Sequence, residues 1–361
     1  MKRKVLILQH EITGYNSPIY DIIAEHADLT VGYFLRDVSQ SPVKYKKTKL
    51  DFFRISRFIF VKDLRRLRSQ FDTVVFDPNP MCLSYYLIPL FKHGNKTIPW
   101  TIGVRASYKR RYVLPFKQEG LYYHVMDYEF RKSDAIVFYM EEPISCWLTD
   151  KLPREKFFVA HNTVQVNEAP IDWNLPRTSI LFVGTLYKEK KVEELIRSYL
   201  NVAKKQPDLQ IPTLDIVGNG DQMDYLNKLV AEEGQGLRIA FHGAIYDEEK
   251  LRGMFARALV CVSPDQAGLS VLKSMGYGVP FVTRTDAITG GERLNIKDGY
   301  NGFFYNQEHE LEEIILKAAR RPDLMLTMGR NARNFYESYA TPKLMAQGIL
   351  DAIEYAHRSK H

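Results

Sequence analysis

Cysteine is scarce in this chain: Cys82, Cys146 and Cys261 are the only three in 361 residues, and none stands at a ligand spacing from another. That argues against a disulfide framework or a zinc site and for a reducing compartment. Long apolar runs are also missing. The longest largely apolar stretch, Met81–Phe91, holds eleven residues. A bilayer span needs roughly 20, so this stretch reads as a core or interfacial helix. The N-terminus is basic and then apolar, but VLIL is too short for a signal peptide and no small-residue cleavage site follows; it reads as a buried first strand. The sequence holds no Asp-x-Asp, no internal repeat and no low-complexity tract. The glycines of DIVGNGDQ do not complete a dinucleotide fingerprint.

What is present is enough apolar material, 45 % of residues, for full cores in about two domains. Short apolar strands alternate with amphipathic helical stretches. Val5–Leu8, Leu29–Phe34, Thr73–Phe76, Thr97–Ile102, Ala135–Tyr139 and Lys156–Ala160 form one series. Ile180–Val183, Leu214–Val217, Ile239–His242, Leu259–Ser263, Phe281–Thr283 and Gly302–Tyr305 form a second. The rhythm predicts an α/β chain with two doubly wound parallel sheets, helices on both faces, and ligands outside the carboxyl ends of the strands. The natural ligand site is a cleft between two such domains. We place the first domain at 1–165, an aperiodic linker with two prolines at 166–177, the second domain at 178–338, and a helical segment at 339–361 that packs back toward the first.

Charge is unevenly distributed. Residues 1–165 carry 26 Lys and Arg against 17 acids; the rest carry 24 against 26, so the net +7 originates in the first half. Two clusters dominate, one from Lys44 to Arg68 and one from Arg105 to Arg111. A solvated surface is one reading. An anionic membrane is the other, worth roughly 1 kcal/mol per basic residue near the lipid, and Phe52, Phe53, Phe58 and Phe60 interleaved with the first cluster favour it. No recognition motif accompanies the charge, so nucleic acid is not expected.

Three glycine loops in the second half follow strands. In FVGTLYKEKK, Gly184 ends a strand and Lys188, Lys190 and Lys191 gather where the next helix starts. Cations oppose the dipole there unless an anion is bound. In DIVGNGDQ, Gly218 suits a tight strand-to-helix turn. In SPDQAGLSVLKSMGYGVP, a helix is expected from about Leu269 to Gly278–Pro280, with its N-terminus open to an anion and Asp265 at the mouth of the loop. Lys273 is expected in the first turn, leaning toward that mouth.

These segments resemble glycosyltransferase family 4. The likeness runs from Ile180 to about Phe335. It is carried by ILFVGTLYKEKKVEELI, LDIVGNGD, IAFHGAI, SPDQAGLSVLKSMGYGVPFV and DGYNGFFY, with a looser match through SDAIVFYMEEP and KFFVAHNTV in the first half. The resemblance implies the GT-B fold, two facing Rossmann-like domains with an interdomain cleft. It implies retaining transfer of a sugar from a nucleotide diphosphate sugar, a co-substrate rather than a cofactor, to a hydroxyl of a glycan or lipid-linked acceptor without a metal. In the family's Glu-x7-Glu signature the first position falls on Asp265, which would touch the donor sugar. The backbone of Gln266, Ala267, Gly268, Leu269 and Ser270 would hold the diphosphate. The second position, the ribose clamp, falls on Lys273, and the family's phosphate arginine is Thr185. Lys190 matches the phosphate lysine. Gly243–Tyr246 would hold the base, with Tyr246 stacking. Gly14 and Arg105 are weak acceptor-side candidates; His10 and His124 read as structural. With a clamp and an arginine lost, either the pocket is reorganised, with Lys273 on the phosphate, or the chain is a non-catalytic subunit of a partner transferase; an epimerase on the same fold is a third reading. The leading expectation is a cytoplasmic transferase, peripheral at the inner face of the membrane, acting in surface polysaccharide synthesis.

Overall fold

The computed structural model describes residues 2–39, 42–91, 94–104, 120–234 and 236–359. Among them no helix is long and apolar enough to cross a membrane. The chain divides into two compact units. Described residues up to Val104, from Gly120 to Gln165 and from Ala340 onward form the first, and Val166–Tyr339 form the second.

In the first unit the strands are β1 (Lys4–Leu8), β2 (Asp28–Tyr33), β3 (Lys46–Lys49), β4 (Phe52–Ile55), β5 (Phe58–Val61), β6 (Thr73–Phe76), β7 (Lys96–Thr101), β8 (Ile136–Phe138) and β9 (Phe157–Val159). Seven of them make one parallel sheet in the order β3-β2-β1-β6-β7-β8-β9, and β4 and β5 pair as an antiparallel ribbon. Side chains alternate across the sheet. Val5 and Ile7 join Ile19, Ile23, Met345, Ile349 and Ile353 in one core, while Leu6 and Leu8 join Val74, Phe76, Tyr85 and Ile88 in another. Both faces are therefore covered, and the runs read as continuously apolar. The helix Pro342–Arg358, capped by Thr341 Oγ1 accepting from Leu344 N, supplies part of the first cover.

The second unit has β10 (Ser179–Val183), β11 (Thr213–Val217), β12 (Ile239–Phe241), β13 (Ala258–Val262), β14 (Phe281–Arg284) and β15 (Gly302–Tyr305), all parallel, in the order β12-β11-β10-β13-β14-β15. The aperiodic segment 166–177 is docked on this unit. Trp173 lies under the guanidinium groups of Arg177 and Arg330, at 5.3 and 4.5 Å, and Arg177 Nη1 donates to the carbonyls of Ala258 and Gly278.

Three strands have no counterpart in the sequence reading. β3 is Lys-Lys-Thr-Lys, too polar to signal a strand, and it sits on the sheet edge, where lysines block further pairing. β4 and β5 lie in the stretch treated above only as a charge and aromatic cluster.

Candidate functional site

In each sheet the strand order reverses at one point, and a doubly wound sheet opens its ligand crevice outside the carboxyl ends of the two strands flanking that point. In the second unit those strands are β10 and β13. The loops leaving them are Gly184–Lys191 and Ser263–Leu269, two of the three singled out by sequence. The structure joins them: Lys191 Nζ lies 3.3 Å from Asp265 Oδ2, and the Tyr187 hydroxyl bonds the Gln266 side-chain oxygen. Asp265 is 3 % exposed.

Lys190 is the decisive side chain. It closes a single 3-10 turn, Lys188–Lys190, and is only 7 % exposed. Its ammonium lies beside Gly184, where an added Cβ would stand 3.6 Å from Nζ, and 6.0 Å from the Tyr187 ring. No carboxylate pairs with it among the described residues. Burial pulls its pKa down to about 8, and Cys261 and Glu292 offset this only in part. A buried cation without a counter-ion is costly, so the pocket is built for an anion that arrives from solution.

The loop after β13 is pinned rather than free. Ala267 N donates to Ile288 O and Ile288 N to Asp265 O, both at 2.8 Å, and Ser263 Oγ holds the Gln266 carbonyl. The Ala267 amide is thus engaged and unavailable to a ligand, which corrects its expected role. Gly268 has open space around it, and Ser270 Oγ is buried without a partner. The following helix, Ser270–Gly276, is only seven residues, so its dipole is a minor attraction.

Gly218 serves packing. A Cβ there would fall 1.8 Å from the Gly184 carbonyl oxygen, and its φ of 151° disfavours any side chain. Its N–H donates to Gly243 O at 2.8 Å. The glycine loops after β10, β11 and β12 therefore interlock through backbone. Thr185 is exposed, and Tyr246 is 93 % exposed, with no ring packed on it.

Lys273 departs from expectation. The helix is so short that Lys273, its fourth residue, belongs to the first turn and also to the last, where a cation is favourable. Its Nζ pairs with Glu248 Oε2 at 2.8 Å, and the Tyr277 hydroxyl bonds the other carboxylate oxygen. It is committed to an acid, and no phosphate is needed to explain it. Glu248 is the residue sequence reasoning missed; in the chain it looks like an ordinary acid in a helix's first turn, and no spacing ties it to Lys273.

In the first unit, Gly14 lies exposed in the loop after β1. Arg105, and with it the Arg105–Arg111 cluster, lies outside the described residues. The strand-order reversal here falls between β1 and β6. His10 follows β1 and Asp77 follows β6, with Nε2 and Oδ2 3.6 Å apart. Burial lowers the His10 pKa and pushes Asp77 up to about 7. The two lie 67 residues apart in sequence, so only the sheet order reveals them as neighbours.

Residues 165–335 match the family model for glycosyl transferases group 1. The family's region thus coincides with the unit that holds Lys190. Among curated proteins the chain is 22 % identical over 165 residues to the alpha-monoglucosyldiacylglycerol synthase of Acholeplasma laidlawii, covering 44 % of this chain and 39 % of that one. It is 31 % identical over 166 residues to an uncharacterized glycosyltransferase of Methanocaldococcus jannaschii, covering 44 % and 40 %. The chain thus spans about two fifths of the length of these relatives. Solved structures match over nearly its whole length. Anabaena HepE in complex with UDP and glucose gives a TM-score of 0.64 at 16 % identity, covering 98 % of this chain and 99 % of that one. The sucrose-phosphate synthase of Thermosynechococcus elongatus gives 0.65 at 16 %, covering 99 % and 100 %. The fold is GT-B, as the resemblance implied.

Proposed function

We propose that this protein is a glycosyltransferase that moves a sugar from a nucleotide diphosphate sugar to a hydroxyl of a glycan or lipid-linked acceptor. The observation that carries the reading is the buried Lys190 ammonium, unpaired among the described residues, at the strand-order reversal of the second unit. As transfer proceeds, the bond from the anomeric carbon to the phosphate oxygen breaks, its electron pair leaves on the diphosphate, and the acceptor oxygen bonds the carbon as its proton passes to the departing diphosphate oxygen. Charge builds on the leaving diphosphate, and a fixed cation there stabilises it. Asp265, oriented by Lys191, would accept hydrogen bonds from the donor sugar. Gly268 and Ser270 would line the diphosphate, and Gly184, Gly218 and Gly243 hold the loops in place. Thr185 and Tyr246 would lie at the edge, reached when the nucleotide is bound. Retention of configuration, metal independence and a role in surface polysaccharide synthesis belong to this reading and rest on the resemblance. We also place the protein in the cytoplasm, at an anionic membrane.

The test is a screen of nucleotide diphosphate sugars for binding by calorimetry and thermal shift. A true donor at 100 times its Kd adds about 2.7 kcal/mol of stability; no binding of any nucleotide at millimolar concentration overturns the proposal. Asp265→Ala should lower transfer by about a hundredfold. Lys273→Met should change nucleotide affinity less than about threefold, because its partner is the half-exposed Glu248; a tenfold loss would return Lys273 to the phosphate.

A second reading has its own observation: the exposed Thr185 and the acid-paired Lys273 stand where the family has an arginine and a glutamate. A non-catalytic subunit would bind nucleotide yet transfer nothing until a partner transferase is added.

A further inference from the structure

The β4–β5 ribbon is apolar on both faces. Its register pairs Phe52 with Val61, Phe53 with Phe60, Arg54 with Ile59 and Ile55 with Phe58. Alternation then puts Phe52, Arg54, Ile59 and Val61 on one face and Phe53, Ile55, Phe58 and Phe60 on the other. The first face closes a core: Val61 is buried, and Phe52 and Ile59 pack on the cluster of Leu50, Cys82 and Tyr85. The second is less covered among the described residues, with Phe58 and Phe60 half-buried. Phe53 is 44 % and Ile55 58 % exposed, and the Phe53 and Phe60 rings stack at 5.2 Å. A soluble ribbon needs one apolar face; a second, contiguous one marks a contact surface.

The charge around this face differs from that of its neighbour. Upstream, Lys44, Lys46 and Lys47 are matched to Glu25, Asp28 and Asp37 at 2.5, 2.7 and 2.7 Å. That part of the basic cluster is neutralised within the fold. Arg54, Arg57, Lys62, Arg65 and Arg66 have no acid partner among the described residues. Arg57 lies over the ring of Phe58 on the outer face, at 5.3 Å, while Arg54 lies over Phe52 on the inner one, at 5.8 Å. Such side chains cover apolar surface with their stems and hold the charge at its margin. Next to them, Leu87, Leu90 and Phe91 are exposed and share a recess with Arg65. This segment is tied to the ribbon through the Ile59–Cys82 bridge and Val61 N donating to the Ser84 side-chain Oγ.

We propose that the outer face of the β4–β5 ribbon docks on an anionic lipid surface, Phe53 and Ile55 entering the headgroup boundary and the unpaired arginines meeting the lipid phosphates. An amphipathic surface of apolar side chains ringed by cations matches that environment, whereas a second copy would set like charges face to face. The inference names the element behind the membrane reading above and does not depend on sugar transfer, so nucleotide binding and membrane binding can fail separately.

The test uses the full chain and vesicles of phosphatidylcholine, with and without phosphatidylglycerol, at low and high salt. Binding should require the anionic lipid and weaken with salt. Phe53→Ser with Ile55→Ser, and separately Arg57→Glu with Arg65→Glu, should each lower binding about tenfold or more. Lys46→Ala should not. All four exposed positions leave the core intact, so unchanged thermal midpoints and nucleotide affinity certify the variants. Equal binding to neutral vesicles, undiminished binding of either double variant, or a wild-type dimer that Ile55→Ser dissociates would each overturn the proposal.

Discussion

Lys190→Met is expected to lower sugar transfer by about 10²- to 10³-fold and, at the same time, to make the free protein more stable. The two effects share one cause. Folding strips water from the Lys190 ammonium and, among the described residues, pairs it with no carboxylate, Glu292 acting only at a distance. The folded group titrates near 8 against the ordinary 10.5. That gap corresponds to about 3 kcal/mol at neutral pH, most of which methionine, similar in shape and uncharged, should recover. The sign follows from linkage. Between pH 8 and 10.5 the unfolded chain binds more protons than the folded one, so wild-type stability should rise with pH across that window. The variant should lack the rise. A bound diphosphate restores the charge, so nucleotide binding near pH 8–9 should take up protons, seen as a dependence of the calorimetric heat on buffer ionisation. A variant that transfers sugar normally, or that melts below wild type, would place the anion elsewhere. Few substitutions separate function from stability in opposite directions, and this one does so because the pocket keeps a charge that only its ligand balances.

Gly218→Ala should have the largest structural effect. The added methyl would stand 1.8 Å from the Gly184 carbonyl oxygen and 2.9 Å from its carbon. No rotamer relieves a backbone clash, so the loop after β10 must move or the unit must open. We expect a loss of about 3 kcal/mol or more, or roughly 10 °C in the midpoint of this unit, read by calorimetry. Because the displaced loop carries Lys190, nucleotide affinity should fall as well. Gly243→Ala is the comparison: its φ of 66° is also positive, but nothing lies within 4 Å of the added atom. It should cost only about 1 kcal/mol. Equal midpoints for the two would mean the loops do not interlock.

Much of this site was legible in the chain. The glycine loops, the strands that deliver them and the lysine cluster are all local features, and the structure sets Lys190, Gly184, Asp265 and Gln266 around the expected strand ends. The errors were of a different kind. Lys273 was expected at the mouth because a first-turn side chain leans toward the N-terminal end; its partner, Glu248, comes from another helix. Ala267 was expected to offer an amide that a bridge to Ile288 occupies. The basic cluster looked uniform, yet part of it is paired and part is not.

The sequence alone determined the alternation of strands and helices and which loops end on glycine, because periodicity and turn chemistry act over a few residues. The tertiary structure alone decided which charges stay unpaired. Whether a lysine meets a carboxylate depends on elements tens to hundreds of residues apart, brought together by sheet order and helix packing, and no local pattern encodes that distance.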